Sequence, residues 1–368
     1  MTYLDFGATS FVKPRQVEEA VAWAMGRCAN PGRGGYGAAR AAAKVVYACR
    51  EEAGTLFDCE PEQVVFTSNC THGLNIAIRS LIKPGAKVAV SGFEHNAVVR
   101  PLHALGADLR VAGRKLFDWE DTLEHFDAAL RGADAAVFTH VSNVFGYILP
   151  VEKMAEMCRD RGVPFILDAA QSAGSIPVSL KNLGAEFIAM PGHKGLLGPQ
   201  GTGLLLCARG GEPLLLGGTG SDSIPRNMPE YLPERLEAGT MNVPGIAGLR
   251  AGLRYLRRTG VARIGEKEHR QTVRCAKGME SLGYTVFSGP HQAGTVSFLA
   301  EGDCEALAEK LARRGIALRA GLHCAPLAHE SAGTLDTGTL RVSFGFQAAD
   351  IQTDRLLEAL SKEKGRKS

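Results

Sequence analysis

The chain has 368 residues, which is too long for one small hydrophobic core and favours a large domain accompanied by a smaller one. Its formal net charge is only +3, and basic and acidic residues are interspersed until the basic tail at 362–368, so no surface for nucleic acid is expected. The nine cysteines are scattered without a CxxC pair, which argues against a disulfide framework and a metal site. The start of the chain lacks a secretory pattern and no apolar run approaches about 18 residues, so we expect a cytoplasmic protein with reduced thiols and no membrane contact.

From about residue 60 to residue 210, short apolar runs alternate with amphipathic segments of helical period. Such runs are typical of buried strands in a mostly parallel sheet with helices on both faces, so the predicted fold class is α/β. The predicted strands are 64–67, 87–90, 135–139, 164–168, 187–190 and 203–207.

The pattern changes after residue 247, where helical and strand-like segments no longer alternate regularly. Helices are predicted at 249–258 and 304–314, with strands at 284–287, 294–298 and 340–344. We therefore expect a large domain of residues 14–248 and a smaller α+β domain of residues 249–368, completed by residues 1–13.

Polar residues follow the carboxyl ends of the predicted strands of the large domain. In an open parallel sheet, ligands bind outside these strand ends, so the polar residues are expected to lie close together. They are Asn69, Cys70, Thr71, Glu94, His95, Asn96, Asn143, Asp168, Gln171, His193 and Lys194.

Asp168 ends one buried strand, and Lys194 lies in a glycine-rich loop just after the next. Lysine-bound pyridoxal phosphate needs this pair, because the amine forms the Schiff base and the acid keeps the pyridine nitrogen protonated. Alone, Lys194 would be a surface lysine and Asp168 a salt-bridge or helix-capping acid. Together they predict the cofactor, and Gln171, one turn after Asp168, could hold its phenolic oxygen.

The segment 67–73 joins a strand to an apolar-periodic helix through small polar residues. Free backbone amides at a helix N-terminus can bind phosphate, although the same residues also make a good helix cap. His95 follows another strand, where a planar imidazole could lie on the cofactor ring and move a proton. A structural histidine is the alternative.

Cys324 lies in a second segment of interest, residues 319–326, between Gly321 and Pro326 and next to His323. A thiol in such a loop can be exposed and act as a nucleophile, whereas the other cysteines lie mostly in apolar or helical surroundings. Arg319 and Arg341 could clamp an amino-acid carboxylate, or could be surface arginines.

These segments together resemble the class V aminotransferase family and, within it, the group II cysteine desulfurases and selenocysteine lyases. The resemblance runs over almost the whole chain and implies a dimeric enzyme of fold type I that converts L-cysteine to L-alanine and a protein persulfide. The segments that carry it are 3–5, 30–34, 93–96, 168–171, 192–194, 319–325 and 338–343.

The resemblance also implies a role for each matching residue. Lys194 would carry the Schiff base, with Asp168 on the pyridinium nitrogen, Gln171 on the phenolate and His95 stacked on the ring. Cys70, Thr71 and His193 would contact the phosphate, joined by Thr240 from the other subunit, and Asn69 would also bind the cofactor. Asn143, Arg319 and Arg341 would hold the substrate carboxylate, Arg33 would also bind the substrate, and Cys324 would take the sulfur.

The chain departs from the family pattern at a few positions and leaves several activities open. Pro191 stands where these enzymes commonly carry a serine or threonine, so one phosphate contact is expected to be missing, and Phe6, Asn96 and Val98 also differ. The expected sulfur acceptor is a protein, as in iron–sulfur cluster assembly, or a small thiol. The alternatives are a selenocysteine lyase, a transaminase, lyase or epimerase in which Cys324 is not the nucleophile, and a cofactor-free binding module.

Overall fold

The strands of the computed structural model, which describes residues 1–32, 34–221 and 223–364, form three sheets. In chain order the strands are β1 Thr2–Tyr3, β2 Val64–Thr67, β3 Lys87–Ser91, β4 Asp108–Ala112, β5 Ala135–Thr139, β6 Phe165–Asp168, β7 Phe187–Pro191, β8 Gly203–Cys207, β9 Val286–Phe287, β10 Thr295–Phe298, β11 Ile316–Ala317, β12 Arg319–Gly321 and β13 Thr339–Ser343. The largest sheet has seven strands in the order β2-β8-β7-β6-β5-β3-β4.

Helices connect most of these strands and cover the sheets. In chain order they are α1 Arg15–Arg27, α2 Gly37–Phe57, α3 Cys70–Leu81, α4 Asn96–Ala104, α5 Trp119–Leu130, α6 Val151–Asp160, α7 Leu180–Leu183, α8 Val243–Thr259, α9 Val261–Ser281, α10 Cys304–Arg313, α11 Pro326–Ala332 and α12 Asp350–Lys364. Across the described ranges, no helix is both long enough and apolar enough to cross a lipid bilayer.

The large sheet is mostly parallel, as the sequence predicts. Neighbours among β3, β4, β5, β6 and β7 all run parallel, and β8 is antiparallel to both β7 and β2. All six predicted strands of this sheet are present, within one residue of their predicted limits. The α/β fold class is therefore confirmed.

The centre of the sheet is buried on both faces. Along β5, Ala136 and Phe138 join one hydrophobic cluster, while Ala135 and Val137 join a second cluster with residues of α3 and α4 on the opposite face. This double burial explains why the central strands are continuous apolar runs in the sequence. Strand β4 was not predicted, because this edge strand is partly exposed and carries charged side chains at Asp108 and Arg110.

A smaller antiparallel sheet, in the order β12-β13-β10-β9, lies in the C-terminal part of the chain. The N-terminal strand β1 pairs with β11, and Asp5 forms a bridge with Ser343 at the end of β13. The first residues therefore pack with the C-terminal part of the chain. The predicted boundary near residue 248 falls within α8, and the division itself stays a prediction.

Candidate active site

Asp168 is a buried carboxylate at the end of a central strand. It is the last residue of β6 and only 3% exposed, and its Oδ1 accepts hydrogen bonds from the Ala170 amide at 2.9 Å and the Cys70 thiol at 3.5 Å. Within the described ranges it has no ion pair with a lysine or arginine, and burial raises its pKa. A cationic group held against Asp168 would offset this burial of charge.

Lys194 follows β7, the strand that pairs with β6, and is half-buried. Burial lowers the pKa of its amine, and the positive charge of Arg341 lowers it further. The N-terminal segment holds the lysine loop, because the Ser10 amide and hydroxyl both donate to the His193 carbonyl at 2.9 Å. The amine can therefore lose its proton readily, as a Schiff-base nucleophile must.

The N-terminus of α3 combines a helix cap with free backbone amides. The Asn69 side chain caps the helix by accepting from the His72 amide at 2.9 Å. In the described part of the chain, the amides of Cys70 and Thr71 donate to no protein acceptor. A Cβ at Gly203 would lie 2.9–3.0 Å from Asn69 backbone atoms, so glycine there lets β8 approach this helix end. Capping and anion binding are thus compatible here.

Three other predicted cofactor contacts lie close to this strand edge. His95 is half-buried at the N-cap of α4, where its Nδ1 accepts from the Ala97 amide at 3.0 Å. Burial and the charge of Lys194 lower the pKa of both His95 and His193 to about 4, so both rings are neutral at physiological pH. The Gln171 amide donates to the Gly7 carbonyl at 3.0 Å, and the thiol of Cys70 faces Asp168.

The predicted substrate-binding residues meet where the two parts of the chain join. Arg341 on β13 has a side chain only 3% exposed and donates from Nη1 to the Asn143 carbonyl at 2.9 Å. The Asn143 amide donates to the His323 carbonyl at 2.8 Å, and its Oδ1 is buried without a partner in the described structure. Arg319 lies opposite Arg341 on β12 and is half-exposed.

Among the described residues, one predicted contact is not brought into this cluster. Thr240 is exposed and lines a surface pocket together with Ser68 and His72 of the same chain, so its contribution across a dimer stays a prediction. Arg33 lies outside the described residues.

Cys324 lies in a loop with a constrained backbone. His323 and Cys324 have φ angles of +50° and +57°, in the left-handed region that non-glycine residues seldom adopt. The Asn96 amide donates to the Cys324 carbonyl at 2.8 Å, next to His95, and the His323 ring is buried against Thr339. All nine cysteines are free, and Cys324 alone among them is exposed. The loop thus presents this thiol beside the strand edge that carries the other site residues.

Two acidic residues contact the predicted site, although no chemical role is predicted for either of them from the sequence. Asp5 forms ion pairs with Arg341 and Arg319. Glu94 is fully buried and accepts from the Thr139 amide at 2.9 Å, so it ties the turn that carries His95 to β5. Glu94 is among the polar residues predicted at the strand ends, whereas the only sequence signal for Asp5 is its position in the family segment 3–5.

Glu268 provides a first prediction. It is buried on α9, lines a cavity together with Lys194 and Gln171, and burial raises its pKa to about 8. Because the pKa of Glu268 is higher in the folded than in the unfolded protein, the protonated side chain stabilises the fold. This stabilisation is complete at low pH and is lost as the pH rises through 8. Glu268→Gln does not titrate and so keeps its stability as the pH rises. Between about pH 5 and pH 9, its unfolding free energy should therefore increase by about 2–4 kcal/mol relative to that of wild type.

Urea denaturation across this pH range measures the difference, in which all other titrating groups cancel. Glu266→Gln, an exposed change on the same helix, should run parallel to wild type. A Glu268→Gln profile that is also parallel to wild type would contradict the prediction.

Three features together indicate a known enzyme class: the fold, the lysine and acid at the strand edge, and the arginine cluster. The chain belongs to the aminotransferase class-V family, whose model matches residues 2–356. This confirms the resemblance found in the sequence. Enzymes of this family depend on pyridoxal phosphate.

Particular relatives narrow the comparison. A probable cysteine desulfurase of Methanothermobacter thermautotrophicus is 30% identical over 380 residues, which cover 99% of this chain and 94% of the relative. A probable cysteine desulfurase of Pyrococcus abyssi is 32% identical over 346 residues, covering 88% and 84%. The apo structure of a cysteine desulfurase from Thermococcus onnurineus NA1 superposes with a TM-score of 0.91 at 31% identity, covering 99% of this chain and 94% of that one. The predicted fold type I is confirmed.

Proposed function

We propose that this protein is a pyridoxal-phosphate-dependent cysteine desulfurase, which converts L-cysteine to L-alanine and takes the sulfur on Cys324 as a persulfide. The two similar proteins are named probable cysteine desulfurases and the similar solved structure is named a cysteine desulfurase, which supports the reaction. The observation that carries the proposal is the exposed Cys324, whose loop is hydrogen-bonded to Asn96 and Asn143 at the same strand edge as Lys194.

The residues present fit the cofactor. Asp168 is a buried acid that lacks a cationic partner in the described ranges, which suits a protonated pyridine nitrogen, and the free amides of Cys70 and Thr71 suit the phosphate. When bound, pyridoxal phosphate supplies a ring that accepts electrons from the substrate α-carbon. Lys194 would hold it covalently and His95 would cover one face.

The chain's own groups then perform proton transfer and positioning. Lys194, whose pKa burial lowers, is placed to take and return the proton at the substrate Cα. Arg341 and Arg319 hold the substrate carboxylate, and the unpartnered Oδ1 of Asn143 offers an acceptor to the substrate. These contacts orient the substrate sulfur toward Cys324.

The sulfur transfer needs no external oxidant. The Cys324 sulfur attacks the substrate sulfur, an S–S bond forms, and the substrate C–S bond breaks with its electron pair left on the substrate β-carbon. Protonation of that carbon gives alanine, and the enzyme keeps the persulfide hydrogen, so that L-cysteine and the thiol become L-alanine and Cys324 persulfide. A protein acceptor or a small thiol would then take the sulfur.

Incubation of the cofactor-loaded protein with L-cysteine and a reductant tests the proposal. Alanine and sulfide should appear in equal amounts, and without reductant the peptide that carries Cys324 should gain one sulfur by mass spectrometry. A keto acid without sulfide would instead indicate transamination. Turnover of L-selenocysteine alone, with no alanine from L-cysteine, would indicate a selenocysteine lyase.

The proposal includes a homodimer in a reducing compartment. Thr240 is exposed, and apolar side chains exposed on nearby segments include Leu215, Leu216 and Tyr231, as a subunit interface requires. The nine free cysteines favour the cytoplasm. Light scattering of the purified protein measures the oligomeric state, and a monomer would remove the proposed role of Thr240 in the partner's site.

A further inference from the structure

Two arginines of the site face each other across neighbouring strands. Arg319 of β12 and Arg341 of β13 are direct cross-strand partners, an arrangement that is unfavourable for like charges. Asp5 lies between them, with its Oδ1 2.7 Å from Arg341 Nη2 and its Oδ2 3.4 Å from Arg319 Nε. One carboxylate therefore serves two guanidinium groups.

We propose that Asp5 is a specificity residue, which neutralises one of these two positive charges and so matches the site to an amino acid with a single carboxylate. The inference rests on the proposed function, which assigns Arg319 and Arg341 to the substrate carboxylate. Two arginines and one aspartate leave one positive charge, enough to balance one carboxylate. An amino acid with a second carboxylate in its side chain finds no second charge and is disfavoured.

The backbone around Asp5 fixes its carboxylate in place. The Leu4 amide donates to the Ala317 carbonyl, and the Ser343 amide donates to the Leu4 carbonyl, both at 2.8 Å, so the segment is held between β11 and β13. At Gly7 the chain runs so close that a Cβ there would lie 3.2 Å from Arg341 Cζ. The Asp5 carboxylate is therefore held in a fixed position between the two arginines.

Arg341 retains a donor for a ligand. Its Nη1 bonds to the Asn143 carbonyl and its Nη2 to Asp5, while its Nε is buried and has no acceptor in the described part of the chain. The Oδ1 of Asn143 is likewise buried and unpartnered. The two residues are hydrogen-bonded neighbours, and the open donor of Arg341 suits the carboxylate of an amino acid.

Binding of unreactive amino acids to the holoenzyme tests the proposal without relying on turnover. Calorimetry should give L-aspartate a weaker affinity than L-alanine in wild type. In Asp5→Asn, which keeps the shape and removes the charge, the ratio of the two dissociation constants should fall at least tenfold. An unchanged ratio, with both affinities shifted equally, would overturn the proposal and would show that the role of Asp5 is only structural.

A double variant separates charge from structure. Asp5→Asn with Arg319→Gln restores a single net positive charge, so the preference for L-alanine should return, whereas a merely structural role of Asp5 would give no such rescue. Asp354→Asn, which removes the exposed partner of Arg274, should leave the ratio unchanged. Should Asp5→Asn fail to fold, two other single variants test the charge: Asp5→Glu keeps one net positive charge and should leave the ratio unchanged, whereas Arg319→Gln brings the net charge to zero and should raise the ratio.

The experiments distinguish failure of this proposal from failure of the desulfurase assignment. If wild type binds both amino acids but yields no alanine from L-cysteine, the proposed reaction fails while the dissociation constants still decide the role of Asp5. If alanine and sulfide form but L-aspartate binds wild type as tightly as L-alanine, the reaction stands and the specificity proposal fails.

Discussion

Replacing Lys194 by alanine is expected to lower the release of alanine from L-cysteine by at least about 1,000-fold. In the proposed reaction the amine both holds the cofactor covalently and moves the proton at Cα, so its loss would remove two steps at once. The variant should also lose the visible absorbance band of the lysine-bound cofactor. Spectra and alanine assays on the same preparation measure both effects.

Lys277→Ala is the matched control, because Lys277 is an exposed lysine on α9. It should retain the absorbance band and the activity of wild type. Lys194 forms no direct ion pair in the described ranges, so circular dichroism should show a folded variant. Alanine release by Lys194→Ala at the wild-type rate would show that the lysine is not part of the reaction.

The strands of the large sheet could be predicted because burial on both faces makes them continuous apolar runs. Strand β5 is fully buried along its length and was predicted with its observed limits, Ala135–Thr139. The edge strand β4, half-exposed and charged, has no such pattern and was missed. The sequence pattern therefore reports burial, and it identifies strands only where burial and strand coincide.

The same logic explains how much of the site could be predicted. Parallel strands place their carboxyl ends at one edge, so Asp168, His95 and Lys194 were expected together before any distance was known. The contact of Asp5 with Arg341 joins residues 336 positions apart, and no local pattern reports such a pair. The left-handed backbone at Cys324 was also invisible, because glycine is the usual signal for that conformation.

Replacing Cys324 by serine is expected to lower sulfide release from L-cysteine by at least about 100-fold, while the absorbance band of the cofactor stays. A serine hydroxyl is a far weaker nucleophile toward sulfur than a thiol, so the substrate C–S bond stays intact. Cofactor and substrate contacts lie on other residues, so the spectral change on adding L-cysteine should also persist. Sulfide assays and stopped-flow spectra separate these two effects.

Cys59→Ser is the control for the loss of a thiol as such, because Cys59 is half-buried and lies outside all the segments that carry predicted site residues. It should release sulfide at the wild-type rate. With L-selenocysteine the Cys324→Ser variant should keep more activity than with L-cysteine, because a selenol is the better leaving group and depends less on attack by a thiol. Equal alanine and sulfide release from L-cysteine by Cys324→Ser and wild type would contradict the persulfide step, and the exposed thiol would then serve another purpose than sulfur transfer.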